Sequence, residues 1–289
     1  TVGADVMVSG DTAETIEAGA GSDVMMGRGG SDNYKINQGD TIERDGNGDA
    51  VAGDYGVVGD VINEIGGSSN DKSDSITLST VTSIDELTFT RTEIKNEEWT
   101  NTLQIDVDYI VDGVQDGVID DTLYVFDHYN QDLGFRAVEK LFLDDGWDTN
   151  EIWNLVTGEG SVRGGETYVG SAGQDVLIAG RASTTTLDGG DGQDIMIGDK
   201  YGKETIFKLG TEGQAWDDIS DMIQGFGTGD KLDLSRLGIS DNTDLTVDGD
   251  ILYKGDVATG VQIAEFSNFQ DGFTLAQILE QEGAVAYAA

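Results

Sequence analysis

Near the amino end of the chain, polar and apolar positions repeat on a nine-residue beat. Acids stand at Asp5, Glu14, Asp23 and Asp32, and two positions after each comes an apolar or aromatic residue: Met7, Ile16, Met25 and Tyr34. Glycines crowd ahead of the acids, in Gly19-Ala20-Gly21-Ser22-Asp23 and Gly29-Gly30-Ser31-Asp32. The beat returns at Gly173-Gln174-Asp175-Val176-Leu177-Ile178 and, most regularly, at Gly189-Gly190-Asp191-Gly192-Gln193-Asp194-Ile195-Met196-Ile197. Glu166 stands nine residues before Asp175, with Tyr168 two later. A glycine loop followed by so short a strand buries nothing alone, so the blocks are expected to stack.

Between the two blocks the pattern loosens. Gly39-Asp40-Thr41-Ile42-Glu43 is echoed by Gly59-Asp60-Val61-Ile62-Asn63-Glu64, and Asp74-Ser75-Ile76-Thr77-Leu78 reads as a further strand. These strands are expected to stack beyond the first block and cover its apolar end, since an open end exposes unpaired backbone groups. From Ile84 ordinary strand alternation takes over, in Leu87-Thr88-Phe89-Thr90, Leu103 to Val107, Asp121 to Phe126 and Val138 to Gly146. After the second block, Ile219, Ile223 and Phe226 suit a strand or short helix that closes it. Phe273 to Leu279 predicts a short amphipathic helix, and Gly283 to Ala289 a frayed end. The expected division is a roll with its extension over 1–83, an inserted β-rich cap over 84–160, a second roll over 161–210 and a terminal cap over 211–289. Two short rolls, or one discontinuous solenoid with the middle part packed between them, accommodate this order.

Composition sharpens the picture. Forty-two glycines and no proline favour tight turns between hydrogen-bonded strands over disorder. Hydrophobic residues at 37% suffice for a core. Fifty-six acids against sixteen bases give a formal charge of −40, which repels itself unless neutralised. A very soluble or halophilic surface is one reading. The sharper one is bound cations, and carboxylate and carbonyl oxygens suit calcium. So few bases argue against nucleic acid and anionic membranes as partners. The absence of cysteine excludes disulfides and thiolate sites, and the single His128 excludes a histidine-rich metal centre. No apolar run is long enough to span a bilayer. The first residues, Thr1-Val2-Gly3-Ala4-Asp5, match no signal peptide and read as internal to a longer chain.

The repeated blocks resemble the repeats-in-toxin (RTX) nonapeptide, G-G-x-G-x-D-x-U-x, a signature of calcium-binding β-rolls. Two further segments add to this. The middle series has the form of a domain found beside such arrays, "V-E-x-L-x-F-x-D-G", here Val138 to Gly146. Asp218 to Leu237, with Gly229-Asp230-Lys231-Leu232-Asp233-Leu234-Ser235, is similar to the terminal segment of type I secretion substrates. The resemblance implies an all-β chain: calcium-binding parallel β-roll (β-solenoid) segments, an inserted or capping β domain and a C-terminal cap. It also implies an uncleaved export signal read by the type I secretion machinery of a Gram-negative cell.

In such a roll two nonapeptides make one coil, so acids eighteen apart share an edge. Asp5 and Asp23 then line one edge, Glu14 and Asp32 the other. Asp175 and Asp194 are nineteen apart, which places an extra residue in Ala182 to Thr186. The candidate calcium ligands and loop glycines are Asp5, Gly19, Gly21, Asp23, Gly30, Asp32, Gly173, Asp175, Gly190, Gly192 and Asp194. The bland reading is plain Asx-turns without an ion. Glu14 follows a loop lacking the glycines and stays open between the two. Asp45-Gly46-Asn47-Gly48-Asp49 lacks the glutamate of an EF-hand loop and reads as a turn, and Asp108, Asp112, Asp116 and Asp120, interleaved with Gly113 and Gly117, read as hairpin turns.

The function expected is a non-enzymatic calcium-dependent folding and secretion module at the C-terminus of a large extracellular adhesin. It would be secreted or held at the cell surface, with a host or biofilm ligand reached through the parent. One alternative is the non-catalytic tail of a secreted protease, lipase or epimerase. Another is a ligand-binding or self-associating module over 84–156, using Trp99, Tyr109, Tyr129, Trp147 or Trp153, all of which equally suit a core. Asp127 beside His128 comes with no nucleophile, and Thr184-Thr185-Thr186 is one run, not an ice-binding ladder.

Overall fold

A computed structural model of the chain describes residues 3–17, 19–39, 42, 52, 57–63, 74–95, 99–109, 115, 117–126, 138, 140–144, 151–155, 159–161, 165–180, 184–199, 202–210, 220–270, 272–281 and 283–287. Two compact units emerge, Thr1–Trp153 and Asn154–Ala289. Both are built chiefly of parallel β-roll strands.

In the first unit the nine-residue blocks form β1 (Val6–Val8), β2 (Thr15–Glu17), β3 (Val24–Met26) and β4 (Asn33–Ile36). Alternate blocks pair, so β1 lies parallel to β3 with Met7 opposite Met25, and β2 parallel to β4 with Ile16 opposite Tyr34. The next strands, β5 (Asp60–Ile62) and β6 (Ser75–Ser79), arrive after long connections yet fall into the same register. Ile62 stands opposite Met25, and Ile76 opposite Tyr34, because only that register keeps each inward side chain in the core. A 3-10 turn at Ile84–Glu86, held by a capping box from Ser83, marks the change of pattern at Ile84.

Beyond it, β7 (Leu87–Lys95) and β8 (Trp99–Val107) pair antiparallel over nine residues. The strands β9 (Asp121–Val125) and β10 (Lys140–Asp144) then rejoin the roll, parallel to β5 and to β6. The connection from β8 to β9 runs between antiparallel neighbours, as the hairpin reading of Asp108 and Asp120 requires. Within it Gly117 N–H donates to Asp108 Oδ2 (3.0 Å) and Tyr109 N–H to Asp120 Oδ2 (3.1 Å). Asp112, Gly113 and Asp116 lie outside the described residues, as do Asp45 to Asp49, Asp40 and His128.

The boundary between the units falls within β11 (Glu151–Leu155). The second unit goes on with β12 (Glu159–Ser161), β13 (Gly165–Val169), β14 (Asp175–Ile178), β15 (Thr184–Asp188), β16 (Ile195–Ile197), β17 (Glu204–Lys208), β18 (Asp221–Gln224), β19 (Lys231–Asp233), β20 (Leu245–Asp248), β21 (Ile251–Lys254), β22 (Val261–Ser267) and β23 (Val285–Ala286), of which β12, β20 and β21 pair antiparallel. One sheet runs β14, β16, β18, β22 in parallel, with Leu177, Met196, Ile223 and Phe266 in register and buried. The other runs β13, β15, β17, β19, aligning Tyr168, Leu187, Phe207 and Leu232. Phe207 stacks on Phe226 at 5.5 Å, and Phe226 meets Phe266 edge-on at 6.2 Å. Thr184 to Thr186 belong to a regular strand rather than a bulge, whereas Ala182 and Ser183 lie outside the described residues.

Two expectations about the carboxyl end are corrected. Ile223 does not close the roll. Its strand β18 adds another parallel coil, and β22 adds one more. The last residues do not simply fray either, for β23 pairs with β19, with Leu232 N–H on Ala284 O (2.8 Å) and Leu234 N–H on Ala286 O (2.9 Å). Without it β19 would end the sheet with a row of unpaired groups. The helix falls at Leu275–Glu280, capped by Thr274.

On the outer face of β15, Arg236 grips Asp188 with two hydrogen bonds (2.7 and 2.9 Å), and Lys208 lies 3.4 Å from the same carboxylate. A bidentate, half-buried pair carries more than a surface ion pair. Arg236→Gln is expected to lower stability by about 1–2 kcal/mol, read as a denaturant midpoint shift in calcium. An unchanged midpoint would mean solvent screens the pair completely.

Candidate functional site

The acids that stand at the start of these strands, or just before it, share a structural task. The N–H at that place needs an acceptor. That acceptor is the carboxylate of the equivalent acid one coil on. Asp5 N–H donates to Asp23 Oδ1 (2.6 Å) and Asp23 N–H to Asp60 Oδ1 (2.7 Å). On the other edge, Glu14 N–H donates to Asp32 Oδ1 (2.9 Å) and Asp32 N–H to Asp74 Oδ1 (2.8 Å). In the second unit Asp175 N–H donates to Asp194 Oδ1 (3.0 Å) and Asp194 N–H to Asp221 Oδ1 (3.1 Å). The expected partners Asp5 with Asp23, Glu14 with Asp32 and Asp175 with Asp194 are thus brought together, while Asp23 and Asp32 stand on different sheets.

Glycines set how closely the loops stack. Gly190 has φ +94°, and a Cβ there would lie 2.4 Å from the carbonyl oxygen of Ser171 one coil earlier. At Gly192, φ +113°, it would lie 2.6 Å from Gly173 O. Gly21 and Gly30 approach Gly3 and Thr12 in the same way, and Gly19 also has positive φ. The loops therefore bring carbonyl oxygens of one coil directly against the backbone of the next.

Burial weighs on that column. Asp194 is pushed up to about 9, by burial first and then by Asp221 and Asp175. Asp221 is raised to about 7 by burial, against the pull of the Asp194 N–H, and Asp175 is raised by burial as well. Only one oxygen of Asp194 is engaged by the chain. Its Oδ2 is buried without a hydrogen bond, next to Gly189, where a Cβ would sit 2.3 Å from it. Glu14 Oε2 is likewise buried without a hydrogen bond, while Thr12 donates to its Oε1.

A buried carboxylate oxygen without a donor, beside closely stacked glycine loops, fits a hard divalent cation. Among the described residues no three carboxylates converge, so carbonyl oxygens would have to complete the shell. Asp175 differs from Asp194. Ser171, at the place of the second loop glycine, donates its N–H (2.6 Å) and Oγ (3.0 Å) to Asp175 Oδ2, so this carboxylate already closes its own loop. Gly173 has no positive φ, and a Cβ there would make only ordinary contacts, 3.7 Å from Asn154 Nδ2 and Ser171 Oγ.

The sequence reading missed three members of the columns: Asp60, Asp74 and Asp221. They follow their predecessors by 37, 42 and 27 residues, which hides the period. The remaining signal was local, an aspartate at the start of a strand or directly before it. Two of the aromatics considered for ligand binding are buried, Tyr109 at 3% and Trp153 at 1% exposure. The side chains of Trp99, Tyr129 and Trp147 lie outside the described residues.

A family model of the RTX calcium-binding nonapeptide repeat matches four copies, over residues 1–34 and 186–200. No curated protein matches the sequence. Among solved structures, the extracellular lipase LipA from Serratia marcescens is similar at 16% identity over the whole chain, with a TM-score of 0.25. The chain spans 40% of the length of that lipase.

Proposed function

The chain carries RTX calcium-binding nonapeptide repeats, which bind Ca2+, and from that premise we propose that it is a calcium-dependent folding and type I secretion module of a large extracellular adhesin, without catalysis of its own. The observation that carries this reading is the buried, unpartnered Asp194 Oδ2 in a column of carboxylates that burial holds back from ionising. Such a column opposes folding where calcium is scarce, as inside a cell, and favours it where calcium is plentiful. Ion binding to the native state alone then supplies folding free energy after export. The ligands on this reading are Asp5, Asp23, Asp32, Asp175 and Asp194 with loop carbonyls around Gly19, Gly21, Gly30, Gly173, Gly190 and Gly192. Asp60, Asp74 and Asp221 extend the columns. The parts are a roll and its extension over 1–83, a β-rich middle over 84–160, a second roll over 161–210 and a cap with the export signal over 211–289. Partners are calcium ions, the secretion machinery and, through the parent adhesin, a surface ligand. Burial of Tyr109 and Trp153 weighs against a ligand site built on those aromatics.

Titrating calcium into the chelated chain tests the proposal. The β signal in circular dichroism and the melting temperature should rise together and cooperatively with calcium, and not with magnesium, which dehydrates reluctantly and demands a tighter octahedral shell. A chelated chain that is fully β-structured and melts at the same temperature with or without calcium would reduce the columns to plain turns.

A further inference from the structure

The turns after β16, β18 and β22 stack along one edge of the second unit. Gly198 N–H donates to Gln224 O (2.9 Å), Gly225 N–H to Ser267 O (3.1 Å) and Gln270 N–H to Phe226 O (2.9 Å). From the third turn the side chain of Gln270 reaches back across the other two. Its Nε2 donates to Gly225 O (2.7 Å) and to Asp199 O (3.0 Å). Two carbonyl oxygens from successive turns thus converge on one point, and a donor group occupies it. Two acceptors fix the amide's orientation, because its own oxygen would meet them as a third acceptor. Room is made by glycines: a Cβ at Gly225 would lie 3.3 Å from Nε2, and one at Gly227 2.9 Å from Gln270 Cβ.

Gly198 stands nine residues after Gly189, so this edge follows the same nonapeptide plan as the loop of Asp194. The two edges differ in how their carboxylates end up. Asp230 spends both oxygens within the chain, Oδ1 on Thr205 N–H (2.7 Å) and Oδ2 on Gly227 N–H (2.8 Å). Asp194 leaves Oδ2 without a hydrogen bond.

We infer that Gln270 stands in for a cation: it is a positioning residue whose amide closes the C-terminal edge of the second unit, so that this edge stays formed when calcium is withdrawn from the Asp194 loops. The inference rests on the reading above that those loops take calcium. It gives the chain an end that holds its shape without metal, next to coils that need it.

Hydrogen exchange on the full chain, in chelator and in calcium, tests it. In the wild type, amides over 221–234 and 261–270 should keep their protection in chelator, while those over 190–198 lose at least about tenfold. Gln270→Glu sets a carboxylate against the two carbonyls. Protection over 221–234 should then fall about 100-fold in chelator, for two lost hydrogen bonds and an unpaired acceptor, and return with calcium. Gln270→Ala should lower it in both conditions alike. Wild-type protection over 221–234 lost in step with 190–198 would overturn the inference. So would Gln270→Glu behaving identically with and without calcium, or Gln270→Ala matching the wild type. If 190–198 ignores the chelator while Gln270→Glu becomes calcium-dependent, the calcium reading of the Asp194 loops fails and the role of Gln270 stands.

Discussion

Asp194→Asn is expected to make the chain more stable in chelator and less stable in calcium, a crossing that few single substitutions produce. In the metal-free fold Asp194 has its carboxyl pushed from 3.8 up to about 9. The folded state therefore holds a proton that the unfolded state releases over most of that range. Where the native state binds more protons, stability falls as pH rises. The stabilisation is complete below the unfolded value near 3.8 and is lost progressively as pH climbs toward about 9. Asp221, raised to about 7, adds to the same slope at its lower end. Asparagine cannot ionise, and it can keep the Asp175 N–H on its oxygen. In chelator the wild type should lose roughly 2–4 kcal/mol between pH 5 and 8 from this group, and the variant should be spared that loss. In Tm this is about 5–10 °C. Calcium reverses the order, since the cation favours the ionised form and asparagine offers it a weaker ligand. Melting curves of both proteins across that pH span, with calcium and with chelator, read all four cases. Parallel curves that never cross would remove Asp194 from any ion site.

How far these features can be read from sequence depends on whether the partners keep a fixed distance along the chain. Asp5, Asp23, Glu14 and Asp32 do, and their pairing across the roll is legible from spacing alone. Asp60, Asp74 and Asp221 take the same structural place after long excursions. Stacking in the core, not chain distance, sets their register: Met25 must face Ile62, and Met196 must face Ile223. The strand β23 is beyond local reading for a related reason. Val285 and Ala286 are small and unremarkable, and become a strand because β19 exposes an edge there. Gln270 has no signal at all in its neighbours, since the carbonyls it serves belong to residues 45 and 71 positions away. Composition did carry one lesson correctly. Abundant glycine without proline corresponds to loops whose backbones lie too close for a side chain, as at Gly190.

That closeness leads to the second large effect. Gly190→Ala combines two costs that Gly202→Ala separates. Both positions have positive φ, +94° and +73°, so each alanine is strained by about 1 kcal/mol or somewhat more. At Gly202 nothing lies within 4 Å of the added carbon, and the strain is the whole effect. At Gly190 the new methyl would lie 2.4 Å from Ser171 O, a backbone atom that cannot swing aside. The loops must part, which stretches the hydrogen bond from Asp191 N–H to Ser171 O (3.2 Å) and loosens the Asp175 to Asp194 bond beside it. Losing these adds roughly 2 kcal/mol or more, for a total of about 3 kcal/mol. On the calcium reading the parted loops also disturb the backbone that would complete the ion's shell beside Asp194, so the calcium midpoint of Gly190→Ala should rise at least about tenfold, while that of Gly202→Ala stays within about twofold. Calcium titrations followed by circular dichroism, with melting curves at saturating calcium, measure both quantities on each variant. Equal losses of stability and unshifted midpoints in the two variants would show that the tight stacking of loops 170–175 and 189–194 is not what gathers the ion's ligands.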